Sequence, residues 1–461
     1  MLLTDAIFKA YDIRGTVPDQ LDASTCRDIG WAFATFAGAP RILVARDMRP
    51  SGEELSAAFS EGVALAGGAV VDIGMASTDM LYFASGRLDA PGAMFTASHN
   101  PAAYNGIKLC LSGARPVGQD TGLSDIHELA CRAPAPPSSG PPARVEHADL
   151  IDEYAAHVRS FVHVDGLRPL SVVADTANGM GGLVVPKVFE ALPFRLEVLF
   201  PELDGNFPNH PADPIQPENL VPLKAAVLDE RADIGLAFDG DADRVFLVDE
   251  KAEPVSGSLT TALVAAAMLE RHPGATILYN LICSKAVPET IEERGGRAVR
   301  TRVGHSFIKQ VMAETGAVFG GEHSGHYYFR DNYRADSGII AALVVLERLS
   351  RSGGSLSSLL APYRRYFDSG EINTEVADPP AAVEALADRL ATSGAALDRT
   401  DGLTADYGDW WFNVRPSNTE PLLRLNVEAR TEGECQSHVA EVTELIAELS
   451  HVTDGAGSGR A

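Results

Sequence analysis

Four polar loops in this chain carry the side chains that could do chemistry. Each loop follows or separates short apolar stretches that are typical of buried strands. Taken in chain order, the loops offer a hydroxyl nucleophile, a cage of carboxylates, a reader of hydroxyl groups and an anion clamp. Phosphoryl transfer to a small polyol requires these parts, because its catalysis consists mainly of positioning and of neutralising charge. The loops are residues 96–101, 239–244, 321–326 and 415–421.

The second loop has a metal-binding pattern. Asp239, Asp241 and Asp243 alternate, so an extended loop would point their carboxylates to one side. Three hard oxygen ligands suit Mg²⁺, although a solvated acidic turn would have the same composition. An EF-hand is excluded despite Glu250 at the twelfth position, because Arg244 occupies the sixth position, where that loop needs glycine.

The first loop offers Ser98 as a nucleophile, although serine and proline also populate ordinary turns. No Gly-x-Ser-x-Gly pattern surrounds this serine, so acyl transfer is not favoured. His99 is its neighbour in the chain. Adjacent side chains in an extended turn diverge, so we do not expect His99 to act as a base for Ser98.

The third and fourth loops are suited to binding a ligand. Glu322, Ser324 and His326 alternate and should face one way, where they could bind vicinal sugar hydroxyl groups; a polar hairpin turn is the plain alternative. The fourth loop combines the forked donor of an arginine with hydroxyls, an amide and free backbone N–H groups, which suits a phosphate but also a proline-initiated turn. Its residues are Arg415, Ser417, Asn418 and Thr419.

The composition limits the possible functions. At 461 residues the chain is long enough for three or four domains, and 45% hydrophobic and 22% charged residues are ordinary for a globular protein. No apolar run approaches the ~20 residues of a membrane span, no signal peptide is expected, and five scattered cysteines fit a reducing compartment. We therefore expect a cytoplasmic protein.

The net charge of −25 disfavours nucleic acid and anionic membranes as partners. It also means that a phosphate substrate would need local cations to offset the field of the whole protein. Six cationic residues do lie in or beside the polar loops. They are Lys9, Arg14, Lys108, Arg244, Lys285 and Arg415.

The first three loops belong to an internal repeat. Apolar stretches at residues 41–47, 171–176 and 275–280 are each followed by a helical pattern, which is typical of parallel strands in α/β layers. Each such strand and helix precedes one of the first three loops. The unit of strand, helix and strand–loop–strand therefore recurs three times.

The C-terminal part has a different pattern. A helix predicted over residues 380–388 precedes paired strands at 410–414 and 422–427 and a helix near 441–449, which indicates an α+β module. The tail at 454–461 is rich in glycine and is expected to lack structure.

These motifs together resemble the α-D-phosphohexomutase superfamily, and within it the bacterial phosphomannomutase/phosphoglucomutase branch. The resemblance covers nearly the whole chain, from the segment 8–15 to the fourth loop. It implies three related α/β domains, with mixed sheets flanked by helices, and a C-terminal α+β domain around a central cleft. The predicted domains are 1–150 with the phosphoserine loop, 151–256 with the metal loop, 257–367 with the sugar loop, and 368–461 as a phosphate-binding lid.

The resemblance also implies roles for individual residues. Ser98 would carry the phosphoryl group, and it or a phosphate oxygen would join the three aspartates in holding Mg²⁺. Glu322 and Ser324 would bind the sugar hydroxyls, and the fourth loop would hold the phosphate that is not reacting. Lys108 and His326 are the candidates for moving the hydroxyl proton, and Arg14 would balance charge on the transferring group. The polar residues expected to line the cleft are Tyr11, Arg14, Lys108, Arg244, Lys285, His305 and His326.

The implied reaction interconverts a hexose 1-phosphate and its 6-phosphate, with mannose, glucose or both as the sugar. It would pass through a hexose 1,6-bisphosphate, which would also act as an activator. The expected partners are small sugar phosphates, and the expected state is a monomer or weak homo-oligomer. The alternatives are a phosphoglucosamine mutase, a metal-dependent sugar phosphatase and a non-catalytic sugar-phosphate sensor. Thr96 and His323 favour the mannose/glucose branch, because phosphoglucosamine mutases tend to carry serine and glutamine there.

Overall fold

The structure, a computed structural model, describes residues 5–134, 144–417 and 422–456. Its strands form four sheets, which are covered by helices. None of the helices in this described part is long and apolar enough to cross a membrane.

The helices and strands fall into four consecutive groups. The first comprises β1 Ile13–Thr16, α1 Ala23–Ala37, β2 Arg41–Arg46, α2 Gly52–Leu65, β3 Ala69–Met75, α3 Thr78–Leu88, β4 Gly92–Phe95, β5 Tyr104–Leu111, β6 Arg115–Pro116, α4 Leu123–Ala130 and β7 Val145–His147. The second comprises α5 Ile151–Arg159, β8 Ser171–Asp175, α6 Gly181–Phe189, β9 Arg195–Leu199, α7 Val221–Asp229, β10 Ile234–Phe238, β11 Val245–Asp249 and β12 Pro254–Val255. The third comprises α8 Gly257–Arg271, β13 Thr276–Asn280, α9 Ala286–Glu293, β14 Arg297–Thr301, α10 His305–Thr315, β15 Phe319–Gly321, β16 Tyr327–Phe329, α11 Gly338–Ser352 and α12 Leu356–Leu360. The fourth comprises β17 Phe367–Glu375, α13 Pro379–Leu390, β18 Ala396–Asp398, β19 Leu403–Asp406, β20 Trp411–Pro416, β21 Leu422–Ala429 and α14 Glu432–Ala456.

The first three sheets share one topology. Their strand orders include β3-β2-β4-β5, β9-β8-β10-β11 and β14-β13-β15-β16, in which the first three strands are parallel and the last is antiparallel. In each sheet the loop that joins the antiparallel pair is one of the first three polar loops. The predicted class of three related α/β units with mixed sheets is therefore confirmed.

Each repeat is larger than the sequence pattern indicated. A second strand and a second helix (β3 and α3, β9 and α7, β14 and α10) lie between the first helix and the loop. The central strands were recognisable because both of their faces are buried, as in β10, whose five residues are all buried. The edge strands β9 and β14 are partly exposed and carry charged residues, so they lack a continuous apolar run.

The fourth sheet is antiparallel throughout, in the order β17-β21-β20-β19-β18. Its apolar residues form one core with buried residues of α13 and α14. This confirms the predicted α+β unit. The expectation that the chain lacks structure from residue 454 is wrong in part, because α14 continues to Ala456; a formed helix gains a backbone hydrogen bond with each added residue. Residues 457–461 lie outside the described part.

The first three units share one continuous core, and a buried carboxylate marks their junction. Asp79, in the first turn of α3, accepts hydrogen bonds from the hydroxyls of Ser77, Tyr154 and Ser337. Tyr154 belongs to α5, and Ser337 is the N-cap of α11. The N-terminal ends of α3 and α11 therefore meet through the side chain of Asp79.

Candidate active site

Ser98 lies directly against the metal loop. Its hydroxyl donates a hydrogen bond to Asp239 Oδ2 at 2.7 Å and accepts one from Arg244 Nη2 at 2.7 Å. Its backbone is in the left-handed region with φ of 50°, which is strained for a residue other than glycine and is often found at functional sites. Ser98 is 3% exposed, so its oxygen is held inside the protein.

The two loops approach so closely that one position must be glycine. A Cβ at Gly240 would lie 2.4 Å from the carbonyl oxygen of Ser98. The backbone of the metal loop also meets the first unit at Thr78, whose N–H donates to the Asp241 carbonyl at 3.1 Å. The juxtaposition of nucleophile and carboxylates is therefore built into the backbone.

The expectation that His99 points away from Ser98 is wrong. His99 Nδ1 lies 3.4 Å from Ser98 Oγ, because the left-handed turn at Ser98 brings the two side chains to the same side. Arg244 Nη2 also contacts this nitrogen. Arg244 and burial together hold the pKa of His99 well below its usual range, so the ring is neutral and its Nδ1 lone pair is engaged by the guanidinium.

The three aspartates of the metal loop form one buried cluster. Asp239, Asp241 and Asp243 each offer a carboxylate oxygen, and these oxygens lie within 4.8 Å of one another. Lys108 Nζ donates to Asp241 Oδ2 at 2.7 Å and to Asp243 Oδ2 at 2.6 Å, and the Thr78 hydroxyl donates to Asp241 Oδ2 at 2.5 Å. The Oδ1 atoms of Asp241 and Asp243 are buried without a hydrogen-bond partner. Orphaned carboxylate oxygens beside a third carboxylate are a donor set that fits a hard divalent cation.

The pKa values in this cluster follow from burial and charge. Burial raises the pKa of Asp239 well above its usual range. Burial acts in the same direction on Asp241, but Lys108, Thr78 and Arg244 outweigh it and hold the pKa of Asp241 below the usual range. Burial lowers the pKa of Lys108, but Asp241 and Asp243 more than offset it, so the pKa of Lys108 lies well above normal. Lys108 is therefore a cation at neutral pH.

Two arginines flank Ser98. Arg244 Nε donates to Asp239 Oδ2 at 2.9 Å, so one guanidinium joins the serine to its carboxylate neighbour. Arg14, on β1, donates from Nη1 to Asn100 Oδ1 at 2.5 Å and pairs with Asp12. These contacts place both guanidinium groups at the first loop.

The sugar loop joins the metal loop through its backbone. Arg244 and His326 form a β-bridge, which sets the His326 ring beside the metal cluster, with Nε2 3.8 Å from Asp243 Oδ1. Its Nδ1 lies 3.0 Å from Ser324 Oγ. Burial lowers the pKa of His326, so the ring is neutral at physiological pH.

Glu322 is held in a fixed orientation. Its Oε2 accepts from the Tyr328 hydroxyl at 2.7 Å, and its Oε1 accepts from the Gly304 N–H at 3.1 Å and from Asn280 Nδ2 at 3.3 Å. Tyr11 of the first unit donates to the carbonyl of Val303, next to this glycine, at 3.1 Å. Tyr11 and Glu322 thus meet at the segment 303–304. His305 follows it as the first residue of α10, and its side chain is not among the described ones.

The fourth loop lies at one end of β20 and β21. Arg415 is 7% exposed; its Nη2 donates to Glu371 Oε2 at 2.6 Å and its Nη1 to Asn426 Oδ1 at 3.1 Å. The Ser417 N–H donates to the Leu422 carbonyl at 2.9 Å. Asn418 and Thr419, which were predicted to complete this phosphate site, lie outside the described residues.

Lys285 makes contacts that its predicted role did not anticipate. Its ammonium donates to Asp406 Oδ1 and to the carbonyl of Gly408, both at 2.6 Å, and these partners belong to the fourth unit. Its backbone N–H donates to Glu428 Oε1 at 2.9 Å. In this structure Lys285 therefore joins the third unit to the fourth.

Several supporting residues were missed from the sequence. Asp47, Arg49 and Thr78 contact the first two loops, and Tyr328 and Asn280 orient Glu322. A usable signal existed for the first three, because they follow the parallel strands β2 and β3, and ligand sites form beyond the carboxyl ends of such strands.

The same four units appear in the comparison with known protein families. Residues 5–131, 152–253 and 256–366 match "Phosphoglucomutase/phosphomannomutase, alpha/beta/alpha" domains I, II and III, and residues 371–445 match the C-terminal domain of that family. A phosphomannomutase of Escherichia coli K12 is 40% identical over 431 residues, which cover 92% of this chain and 94% of that protein. The chain belongs to the phosphoglucomutase/phosphomannomutase family. It is a phosphohexomutase, which is an isomerase.

Other members of this family are similarly close. The "Phosphohexose mutases" protein of Xanthomonas campestris is 40% identical over 96% of this chain and its own whole length. A "Phosphomannomutase/phosphoglucomutase" of Pseudomonas putida is 38% identical, with 94% of both chains covered.

A solved structure shares the whole fold. The crystal structure of a phosphoglucomutase/phosphomannomutase family protein from Burkholderia thailandensis superimposes with a TM-score of 0.89 at 32% identity, over 97% of this chain and 98% of that one.

Proposed function

We propose that this phosphohexomutase interconverts hexose 1-phosphates and hexose 6-phosphates of mannose, glucose or both, with Ser98 as the carrier of the phosphoryl group. The contact between Ser98 Oγ and Asp239 Oδ2 at 2.7 Å carries the proposal, because it joins a buried hydroxyl to a cluster that suits a divalent cation. A phosphatase would release inorganic phosphate and would not need to retain a bisphosphate, and a sensor would need no nucleophile.

We assign the metal site to Mg²⁺, held by Asp239, Asp241 and Asp243 with Ser98 or a phosphate oxygen as a further ligand. The orphaned Oδ1 atoms of Asp241 and Asp243 support this assignment, since hard oxygen ligands suit that ion. When bound, Mg²⁺ would stabilise negative charge on the transferring group as a Lewis acid.

The cationic side chains around Ser98 would stabilise the negative charge that develops on the transferring phosphoryl group and on Ser98 Oγ. As the bond between phosphorus and Ser98 Oγ breaks, Arg244 remains hydrogen-bonded to that oxygen and stabilises its charge. Arg14, at Asn100 of the same loop, is the second guanidinium available to the phosphoryl oxygens.

The sugar hydroxyl that attacks must lose a proton, and Lys108 and His326 are the two candidates to move it. His326 is neutral and can accept the proton directly, whereas Lys108 is a cation and could accept one only after giving up its own. Both lie against the metal cluster, with Lys108 Nζ 2.6 Å from Asp243 Oδ2 and His326 Nε2 3.8 Å from Asp243 Oδ1. Glu322 and Ser324 would hold the sugar ring, and the support of Glu322 by three donors favours one fixed orientation.

The second phosphate of the substrate would bind the fourth loop. Arg415 would turn from Glu371 towards the phosphate, with Ser417, Asn418 and Thr419 as further donors. The hexose 1,6-bisphosphate formed in the first half-reaction would then reorient, so that Ser98 regains a phosphoryl group from the other end. Free bisphosphate would rephosphorylate Ser98 and so act as an activator.

Relatives named phosphomannomutase and phosphomannomutase/phosphoglucomutase support mannose and glucose as the sugars. Phosphoglucosamine mutase is the second candidate. Parallel assays with mannose 1-phosphate, glucose 1-phosphate and glucosamine 1-phosphate separate them. A kcat/KM that is highest for the glucosamine substrate would move the enzyme to the second candidate.

A label experiment separates the mutase from a phosphatase. With labelled phosphate on the sugar, we expect label to exchange through the enzyme into the bisphosphate and product, with almost none released as inorganic phosphate. Ser98→Ala is the matched control and should neither exchange nor release label. Stoichiometric release of inorganic phosphate by the wild-type enzyme would contradict the mutase assignment.

A further inference from the structure

A fully buried ion pair, which lies outside the four polar loops, supports the loop that bears Ser98. Arg49 and Asp47 follow β2, and both side chains are 0% exposed. Asp47 Oδ1 accepts from the Arg49 backbone N–H at 2.9 Å, and Asp47 Oδ2 accepts from Arg49 Nε at 3.2 Å. The carboxylate thus fixes both the backbone and the side chain of the arginine.

The other four N–H donors of Arg49 point at the phosphoserine loop and at the first residue of β5. Nη2 donates to the carbonyls of Ser98 at 2.9 Å and Asn100 at 2.7 Å, and Nη1 donates to the carbonyls of Pro101 and Tyr104, both at 2.9 Å. Because a guanidinium has five N–H donors, every donor of Arg49 is used. Lysine has only three donors and no planar fork, so it could not reproduce this set.

Asp47 also reaches Ser98 from its other side. The hydroxyl of Thr96 donates to the Asp47 carboxylate, and its oxygen accepts from the Ser98 N–H at 2.9 Å. The peptide units before and after Ser98 are therefore both tied to one carboxylate. These bonds help to maintain the left-handed conformation of Ser98, which is unfavourable in itself.

We propose that Arg49, oriented by Asp47, is a positioning residue that fixes Ser98 Oγ for phosphoryl transfer in both directions. The proposal rests on the proposed function of Ser98 as phosphoryl carrier. Among the described residues, the side chain of Arg49 donates its hydrogen bonds to Asp47 and to backbone carbonyls of residues 98–104, so its main effect is on where the serine oxygen lies. A carrier that works with two substrate orientations needs one fixed oxygen, since a misplacement of 1 Å can cost on the order of 100-fold in rate.

The test is Arg49→Lys, measured with steady-state and single-turnover kinetics. We expect kcat and the rate of transfer from phosphorylated Ser98 to the sugar to fall on the order of 10- to 100-fold, with KM nearly unchanged. We also expect a larger share of the phosphoryl group to be lost to water as inorganic phosphate. A purely structural role would lower the unfolding temperature and leave this partition between transfer and hydrolysis at the wild-type value.

Two further variants keep the test decisive. Arg168→Lys is the matched control, because Arg168 also donates to three backbone carbonyls, of Leu349, Ser350 and Gly354, far from the site. It should change stability and leave the partition unchanged. Thr96→Val has nearly the same shape as the native residue and removes only the hydroxyl, so it should fold and lower kcat in the same way as Arg49→Lys.

Wild-type transfer rates and partition in Thr96→Val or in folded Arg49→Lys would overturn the positioning role. Failure of the underlying function gives a different result. If Ser98 is not the carrier, neither the wild type nor the variants would acquire a phosphate on Ser98 when incubated with hexose 1,6-bisphosphate.

Discussion

Replacing Lys108 with methionine should make the stability of this protein depend strongly on Mg²⁺. The ammonium of Lys108 donates to Asp241 and Asp243 at 2.7 and 2.6 Å, and all three residues are buried. Methionine keeps most of the apolar stem but leaves two neighbouring carboxylates without their cation. Removing one partner of a buried ion pair costs about 3–5 kcal/mol, so the variant should unfold at a clearly lower temperature in EDTA.

Added Mg²⁺ should restore part of this loss. A ligand present at 100 times its dissociation constant stabilises the folded state by about 2.7 kcal/mol. In the wild type the Lys108 ammonium already neutralises part of the charge of Asp241 and Asp243, whereas in Lys108→Met that charge is left for Mg²⁺ to neutralise. At one fixed Mg²⁺ concentration the variant should therefore show the larger increase in unfolding temperature. The assay is thermal or urea unfolding of both proteins in EDTA and in a Mg²⁺ series.

Lys187→Met is a suitable control for this experiment. Lys187 also pairs with two carboxylates, Asp152 and Glu190, at 2.8 and 3.1 Å, but on the surface. Its replacement should leave both the stability in EDTA and the response to Mg²⁺ close to wild type, because exposed pairs contribute little. Equal unfolding temperatures of Lys108→Met and wild type in EDTA, or equal shifts with Mg²⁺, would refute the reasoning.

Three other changes give separate tests. Asp241→Asn should lose most activity and regain part of it at high Mg²⁺, and unchanged turnover at limiting Mg²⁺ would exclude Asp241 as a ligand. Arg415→Ala should raise KM by about 10- to 150-fold, which is the equivalent of losing a charge-assisted contact of about 1.5–3 kcal/mol. The control Arg430→Ala, at an exposed arginine, should leave KM unchanged. A KM of Arg415→Ala within twofold of wild type would place the phosphate clamp elsewhere. Burial raises the pKa of Asp79 to about 6, so this group stabilises the fold when protonated and that contribution is lost as pH rises from about 4 to 6. The stability of Asp79→Asn relative to wild type should therefore increase over this range by up to about 3 kcal/mol in urea titrations, and a difference independent of pH would contradict the argument.

Much of the fold was readable because its central strands are buried on both faces. The runs that became β2, β8 and β13 have no polar alternation, so their strand character and parallel pairing could be predicted. The edge strands β9 and β14 could not, because a half-exposed strand with charged residues has the composition of a loop.

The candidate site was predictable to the extent that its residues share a loop. The spacing of the alternating aspartates was enough to predict a metal site. In the same way, an arginine beside several hydroxyls was enough to predict a phosphate site. The contact of His99 with Ser98 depends on a left-handed backbone turn, which a sequence with no glycine at that position does not indicate. The positions of Arg49 and Thr78 just beyond β2 and β3 could indicate a site, but their partners, 49 and 163 residues away in the chain, could not be predicted from a local pattern.

The phosphorylation state of Ser98 tests the central claim most directly. Peptide mass spectrometry of the purified protein should locate a phosphate on Ser98 in part of the molecules. Incubation with hexose 1,6-bisphosphate should raise that fraction, and incubation with excess monophosphate and a chelator should not. Ser98→Ala should fold and bind substrate but lose nearly all turnover. A phosphate that maps only to another residue, or a Ser98→Ala protein that turns over at the wild-type rate, would contradict the account.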